Sequence, residues 1–99
     1  MIKPEFAPYR LEFDKTALKD LASFSAEDAA HIVEVLQRVA DTGTGNIEWL
    51  EGHRLMRLKA PPARALVDIT EGVITVVLIE ARDQVYSKKT LQRVKAYRR

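Results

Sequence analysis

The chain has 99 residues, with 16 Lys and Arg against 14 Asp and Glu, a formal net charge of +2, two histidines and no cysteine. That length suits one compact domain spanning 1–99 with a small core, and the lack of cysteine excludes disulfide staples, thiolate nucleophiles and thiolate metal sites. No apolar run approaches the roughly 20 residues of a bilayer span, and Met1, Ile2, Lys3 and Pro4 do not lead into the apolar core of a secretory signal, so the expectation is a cytoplasmic protein with no membrane contact and no metal or cofactor.

Residues 9–13 alternate, with Tyr9, Leu11 and Phe13 on one side and Arg10 and Glu12 on the other, which predicts a short strand. Asp14 is placed to cap a first helix whose Ala17, Leu18 and Leu21 share a face, with Phe24 near its end. Ser25, followed three positions later by Asp28, marks a second helix start. Ala29, Ile32, Leu36 and Val39 form that helix's stripe, widened by Val35. Residues 41–46, containing Gly43 and Gly45, read as the loop that ends it.

The period then changes. Residues 54–59, 64–70 and 73–79 read as three successive strands, with Pro61 and Pro62 at one turn and Glu71 and Gly72 at the other. Connections this short make neighbouring strands antiparallel. A short extended piece over 84–86 and a C-terminal helix over 90–99 are predicted to follow. Residues 87–99 form a basic extension, since beyond Asp83 the chain carries Lys88, Lys89, Arg93, Lys95, Arg98 and Arg99 without an acid. By contrast, acids outnumber bases between Glu12 and Asp41, and this asymmetry favours a polyanionic partner for the basic half. The expected class is α+β: a helix pair on one face of a small, mostly antiparallel sheet, leaving the opposite face free.

Strand parity distributes the candidate site residues. Met56 and Leu58 belong against the helices, so Arg57 and Lys59 stand on the open face. Ala65, Val67 and Ile69 fit the packed face, leaving Arg64, Leu66 and Asp68 open. The third strand is apolar on both faces, with Ile74, Val76 and Leu78 one way and Val73, Val77 and Ile79 the other, which predicts an interior strand. Arg82 and Tyr86 lie beyond it. Guanidinium groups fixed on such a surface can neutralise a phosphodiester as its phosphorus becomes five-coordinate. With a ribose 2′-hydroxyl as nucleophile, no metal-bound water is required. Tyr86 can act as a base only if neighbouring cations depress its pKa, and it can equally stack on a nucleobase. Arg64 has Asp68 as an alternative partner two positions along the same face. His31 reads as a helix boundary residue, His53 as weak evidence of chemistry, and Trp49 as a core or loop anchor.

The order of strand, helix pair and glycine-containing loop, then LEGHRLMRLK, ARALVDI, a hairpin turn and VVLIEARDQVY, resembles the RelE/ParE superfamily of bacterial toxins over residues 9–86, closer to its RelE-like branch. The opening YRLEFDKTALKDLASF is similar to that family's first strand and helix. The resemblance implies a type II toxin that binds the ribosome, cleaves messenger RNA without a metal and inhibits translation, and that is held by a cognate antitoxin. It implies catalytic roles for Arg64, Arg82 and Tyr86, and RNA-binding roles for Arg57, Lys59, Lys88 and Lys89. The sequence departs from the family's pattern at Pro62 and Ala63, at Glu80 and Ala81, and at Leu55, which stands where some active relatives carry a lysine. Two other functions of the same fold stay open: a ParE-like inhibitor of DNA gyrase, and a non-catalytic interaction protein.

Overall fold

The computed structural model describes residues 2–49 and 55–81. After a single 3-10 turn at Pro4–Phe6, the chain forms β1 (Arg10–Phe13), α1 (Lys15–Ala22), α2 (Ala26–Thr42), β2 (Ile47–Trp49), β3 (Met56–Ala60), β4 (Ala63–Thr70) and β5 (Val73–Ala81). Among the described residues these strands make one sheet in the order β1-β5-β4-β3-β2. β1 runs parallel to β5, and the other neighbours are antiparallel. This is the expected α+β architecture of an N-terminal strand and two helices on a mostly antiparallel sheet.

Local signals account for the helix ends. The Asp14 carboxylate accepts from the Thr16 N–H, and the Ser25 hydroxyl oxygen accepts from the Asp28 N–H, so each cap satisfies a donor that the first turn leaves open. α2 stops at Gly43, whose φ of 70° is left-handed and whose N–H reaches the Val39 carbonyl. Glycine is required there twice over, because a Cβ would lie 2.6 Å from the Lys3 carbonyl oxygen of the N-terminal segment. That segment is held down by Tyr9, a buried residue whose hydroxyl accepts from the Lys3 N–H at 2.9 Å and whose own N–H reaches the Ala40 carbonyl at 2.7 Å.

The main core lies between helices and sheet. Ala17, Ile32, Leu36, Val39 and Ala40 meet Met56, Leu58, Ala65, Val67, Ile74, Val76 and Ile79. Leu18 does not join them; it is 53% exposed, and the inner face of α1 is supplied by buried Ala17 with half-buried Leu21 and Phe24. β2 is a strand that the sequence reading assigned to no element. Its three residues pair with β3, Ile47 opposite Leu58 and Trp49 opposite Met56.

Two expectations about the far face are corrected. That face is not bare, since Leu55, Leu66, Val77 and Leu78 form a second buried cluster there, each no more than 2% exposed. The parity of β5 also changes partway along. Leu66 stands opposite Leu78 while Val67 stands opposite Val76, so Val77 is an extra residue, a β-bulge. Val77 and Leu78 consequently both join the far cluster, and Ile79 returns to the helix side with Ile74 and Val76. The Ile79 N–H is taken by the Asp20 carboxylate of α1 at 2.9 Å, beyond the point where β1 has ended at Phe13. The predicted pieces over 84–86 and 90–99 lie outside the described residues, as does His53.

Candidate functional site

Hairpin β3–β4 carries the expected cations. Its two-residue connection is the Pro61-Pro62 pair, joined by a cis peptide, and Ala60 faces Ala63 across it. The pairing places Lys59 directly opposite Arg64, and one residue pair further in, Arg57 opposite Leu66. Burial alternates as parity requires: Met56, Leu58 and Ala60 are buried, Lys59 is exposed, and Arg57 and Arg64 are intermediate. Lys59, Pro61, Pro62, Ala63 and Arg64 line a recess of about 220 Å³ at the bend.

The three cations are not equivalent. Arg57 is paired with Glu48, its neighbour on β2, and its side chain is only 21% exposed. Among the described residues, no hydrogen bond or ion pair engages the side chain of Lys59 or Arg64. Arg57 is therefore partly neutralised, while Lys59 and Arg64 present full charges to the recess. Sequence reasoning missed Glu48 because it missed β2, and the available signal was the short apolar pair Ile47 and Trp49 flanking it after a glycine loop. Asp68, weighed as a partner for Arg64, accepts a hydrogen bond from the Thr70 hydroxyl at 3.1 Å.

A further residue joins the site through the bulge. Glu80 is the cross-strand partner of Arg64, giving a row of Lys59, Arg64 and Glu80 across three strands. Directly opposite residues in such a sheet have Cβ atoms about 5 Å apart, so each member of the row is within side-chain reach of the next. Arg82, Tyr86, Lys88 and Lys89 lie outside the described residues. His31 is exposed on α2, away from this row. Among the described residues, no group of three or more His, Cys, Asp or Glu side chains is arranged to hold a metal ion, and no helix is long and apolar enough to cross a membrane.

No model of a protein family matches the sequence, and no curated protein matches it. Solved structures do. The toxin-antitoxin complex RelBE2 from Mycobacterium tuberculosis contains a chain that is 22% identical, with a TM-score of 0.62 over 77% of this chain and 100% of that one. A mutant of the Escherichia coli toxin RelE in the free state is 18% identical, with a TM-score of 0.66 over 90% of this chain and 96% of that one. A chain of the chromosomal ParDE system from Pseudomonas aeruginosa is 22% identical, with a TM-score of 0.54 over 77% and 98%. The strand, the helix pair and the bulged antiparallel meander thus give this chain the fold of the RelE/ParE toxin superfamily.

Proposed function

We propose that the protein is the toxin of a type II toxin-antitoxin pair and acts as a ribosome-dependent endoribonuclease on messenger RNA. The observation that supports this best is the facing pair Lys59 and Arg64 beside the proline bend, two cations committed to no acid among the described residues and bordering an open recess. Such a pair suits a phosphodiester, which gains negative charge on its non-bridging oxygens as the phosphorus becomes five-coordinate. In the proposed reaction the 2′-hydroxyl attacks the adjacent phosphorus, loses its proton to a base, and the P–O5′ bond breaks as the 5′-oxygen is protonated. The products are a 2′,3′-cyclic phosphate and a 5′-hydroxyl. Arg64 and Arg82 stabilise the phosphate, Arg57, Lys59, Lys88 and Lys89 hold the RNA backbone, and Tyr86 orients the nucleophile or stacks on a base.

The test is to add the protein to translating ribosomes and map RNA ends. Cleavage with those termini is expected, reduced about 10²-fold or more by Arg64→Ala, the usual effect of removing one group that stabilises transition-state charge. Intact messenger RNA, with wild type and Arg64→Ala indistinguishable, would sink the proposal. The partner is an antitoxin, as in the toxin-antitoxin complexes that this fold matches. A second reading draws on Glu48 and Glu80, which interleave with the cations and lower the net charge of the surface. That dilution suits a protein target, and a ParE-like action on gyrase would show as inhibited DNA supercoiling with messenger RNA left whole.

A further inference from the structure

Glu80 is out of place on a surface built only to hold phosphate. It sits opposite Arg64, in the row that also contains Lys59, and it reaches that face through the extra residue Val77. Regular alternation from Ile74 and Val76 would have carried Glu80 to the helix side, where Ile79 now packs. A carboxylate beside two cations weakens their attraction for a simple anion, so the arrangement is better suited to a ligand that offers a hydrogen-bond donor immediately beside its anionic group.

RNA is such a ligand. The ribose 2′-hydroxyl is borne by the carbon next to the one carrying the 3′-phosphodiester, so its donor and the phosphate charge are separated by about the spacing of neighbouring residues in this row. DNA has the phosphate and lacks the donor, and the 2′-hydroxyl is the group by which proteins distinguish the two. We propose that Glu80 is the residue that selects RNA: Lys59 and Arg64 take the phosphodiester while the Glu80 carboxylate accepts the hydrogen bond of the adjacent 2′-hydroxyl. This inference rests on the proposed RNA substrate and adds a specificity-determining residue to it.

The experiment compares binding of a fluorescein-labelled single-stranded oligoribonucleotide with that of the all-deoxy oligonucleotide of the same sequence, by anisotropy without ribosomes. Wild type is expected to prefer RNA by about tenfold, the scale of one hydrogen bond to a charged group. Glu80→Ala should bring the ratio near one while DNA binding tightens, because a repulsive charge has gone. Glu80→Gln keeps an acceptor oxygen and should retain part of the preference, and circular dichroism confirms that each variant is folded. Equal tightening of RNA and DNA in Glu80→Ala, with the ratio unchanged, overturns the assignment and leaves Glu80 as a competing charge. Equal binding of RNA and DNA by wild type overturns it too. If ribosome-dependent cleavage persists in either case, only the Glu80 assignment falls; if wild type neither binds nor cleaves RNA, the endoribonuclease reading falls with it.

Discussion

The Asp20 carboxylate on α1 accepts a hydrogen bond from the backbone N–H of Ile79 on β5, a contact between residues 59 positions apart. It lies where β5 has outrun its parallel neighbour β1, so the Ile79 donor would otherwise lack a strand partner on that side. Asp20→Ala should therefore cost about 1–3 kcal/mol, the penalty for stranding a part-buried donor and losing a charge-assisted bond. Asp20→Asn keeps an acceptor and should cost less. Urea denaturation of the three proteins checks the order.

Two glycines with similar backbone angles should respond differently to alanine. Gly43 and Gly72 have φ of 70° and 80°, so each alanine incurs about 1–2 kcal/mol for the left-handed conformation. Around Gly72 a Cβ would meet nothing within 4 Å, whereas at Gly43 it would collide with backbone atoms of Lys3 and Pro4. Gly43→Ala should be the more destabilising in thermal unfolding, and deleting residues 1–5 should remove most of the difference.

The Glu48–Arg57 pair joins a half-exposed acid to a largely covered arginine. Glu48→Gln should change stability by less than about 1 kcal/mol, in the range of surface ion pairs. Its effect on RNA should be larger, because a negative charge beside Arg57 has gone. Affinity is expected to rise and the slope of log K against log salt to steepen by about 0.7, the value for one further phosphate contact on a single strand. A salt titration with both proteins measures it.

Burial decides the outcome at two leucines whose expected exposures are reversed in the structure, Leu18 being exposed and Leu66 buried. Leu66→Ala empties a position that is 0% exposed in the far-face cluster and should cost about 2–5 kcal/mol. Leu18→Ala alters a side chain that is 53% exposed and should stay within about 0.5 kcal/mol of wild type. Guanidinium denaturation of the two variants separates them.

Much of this architecture was legible because local chemistry and global packing agree. Asp14 and Ser25 cap where their side chains indicate, Glu71 and Gly72 make the tight turn of a β-hairpin with positive φ at both positions, and β3 and β4 show plain alternation. The apolar run of β5 was the difficulty. Val73, Ile74, Val76, Val77, Leu78 and Ile79 satisfy either phase, so nothing in the sequence marks where the phase changes. β2 was hidden for a different reason. Three residues carry almost no periodicity, and pairing with β3 makes them a strand. In the candidate site, parity correctly brought Lys59 and Arg64 together, but the two acids that modify the surface depended on the short strand and the bulge.

Val77 has a consequence beyond its own packing. A single inserted residue divides β5 into two stretches, each paired regularly with β4 and each sending a residue to the helix-side core, Ile74 and Val76 from the first and Ile79 from the second. Deleting Val77 would close the bulge and keep Val76 opposite Val67 and Leu78 opposite Leu66, so Glu80 would still face Arg64; what is lost is one apolar side chain of the far-face cluster. The bulge thus lets β5 carry an extra apolar residue over the far face while the row of Lys59, Arg64 and Glu80 keeps its register.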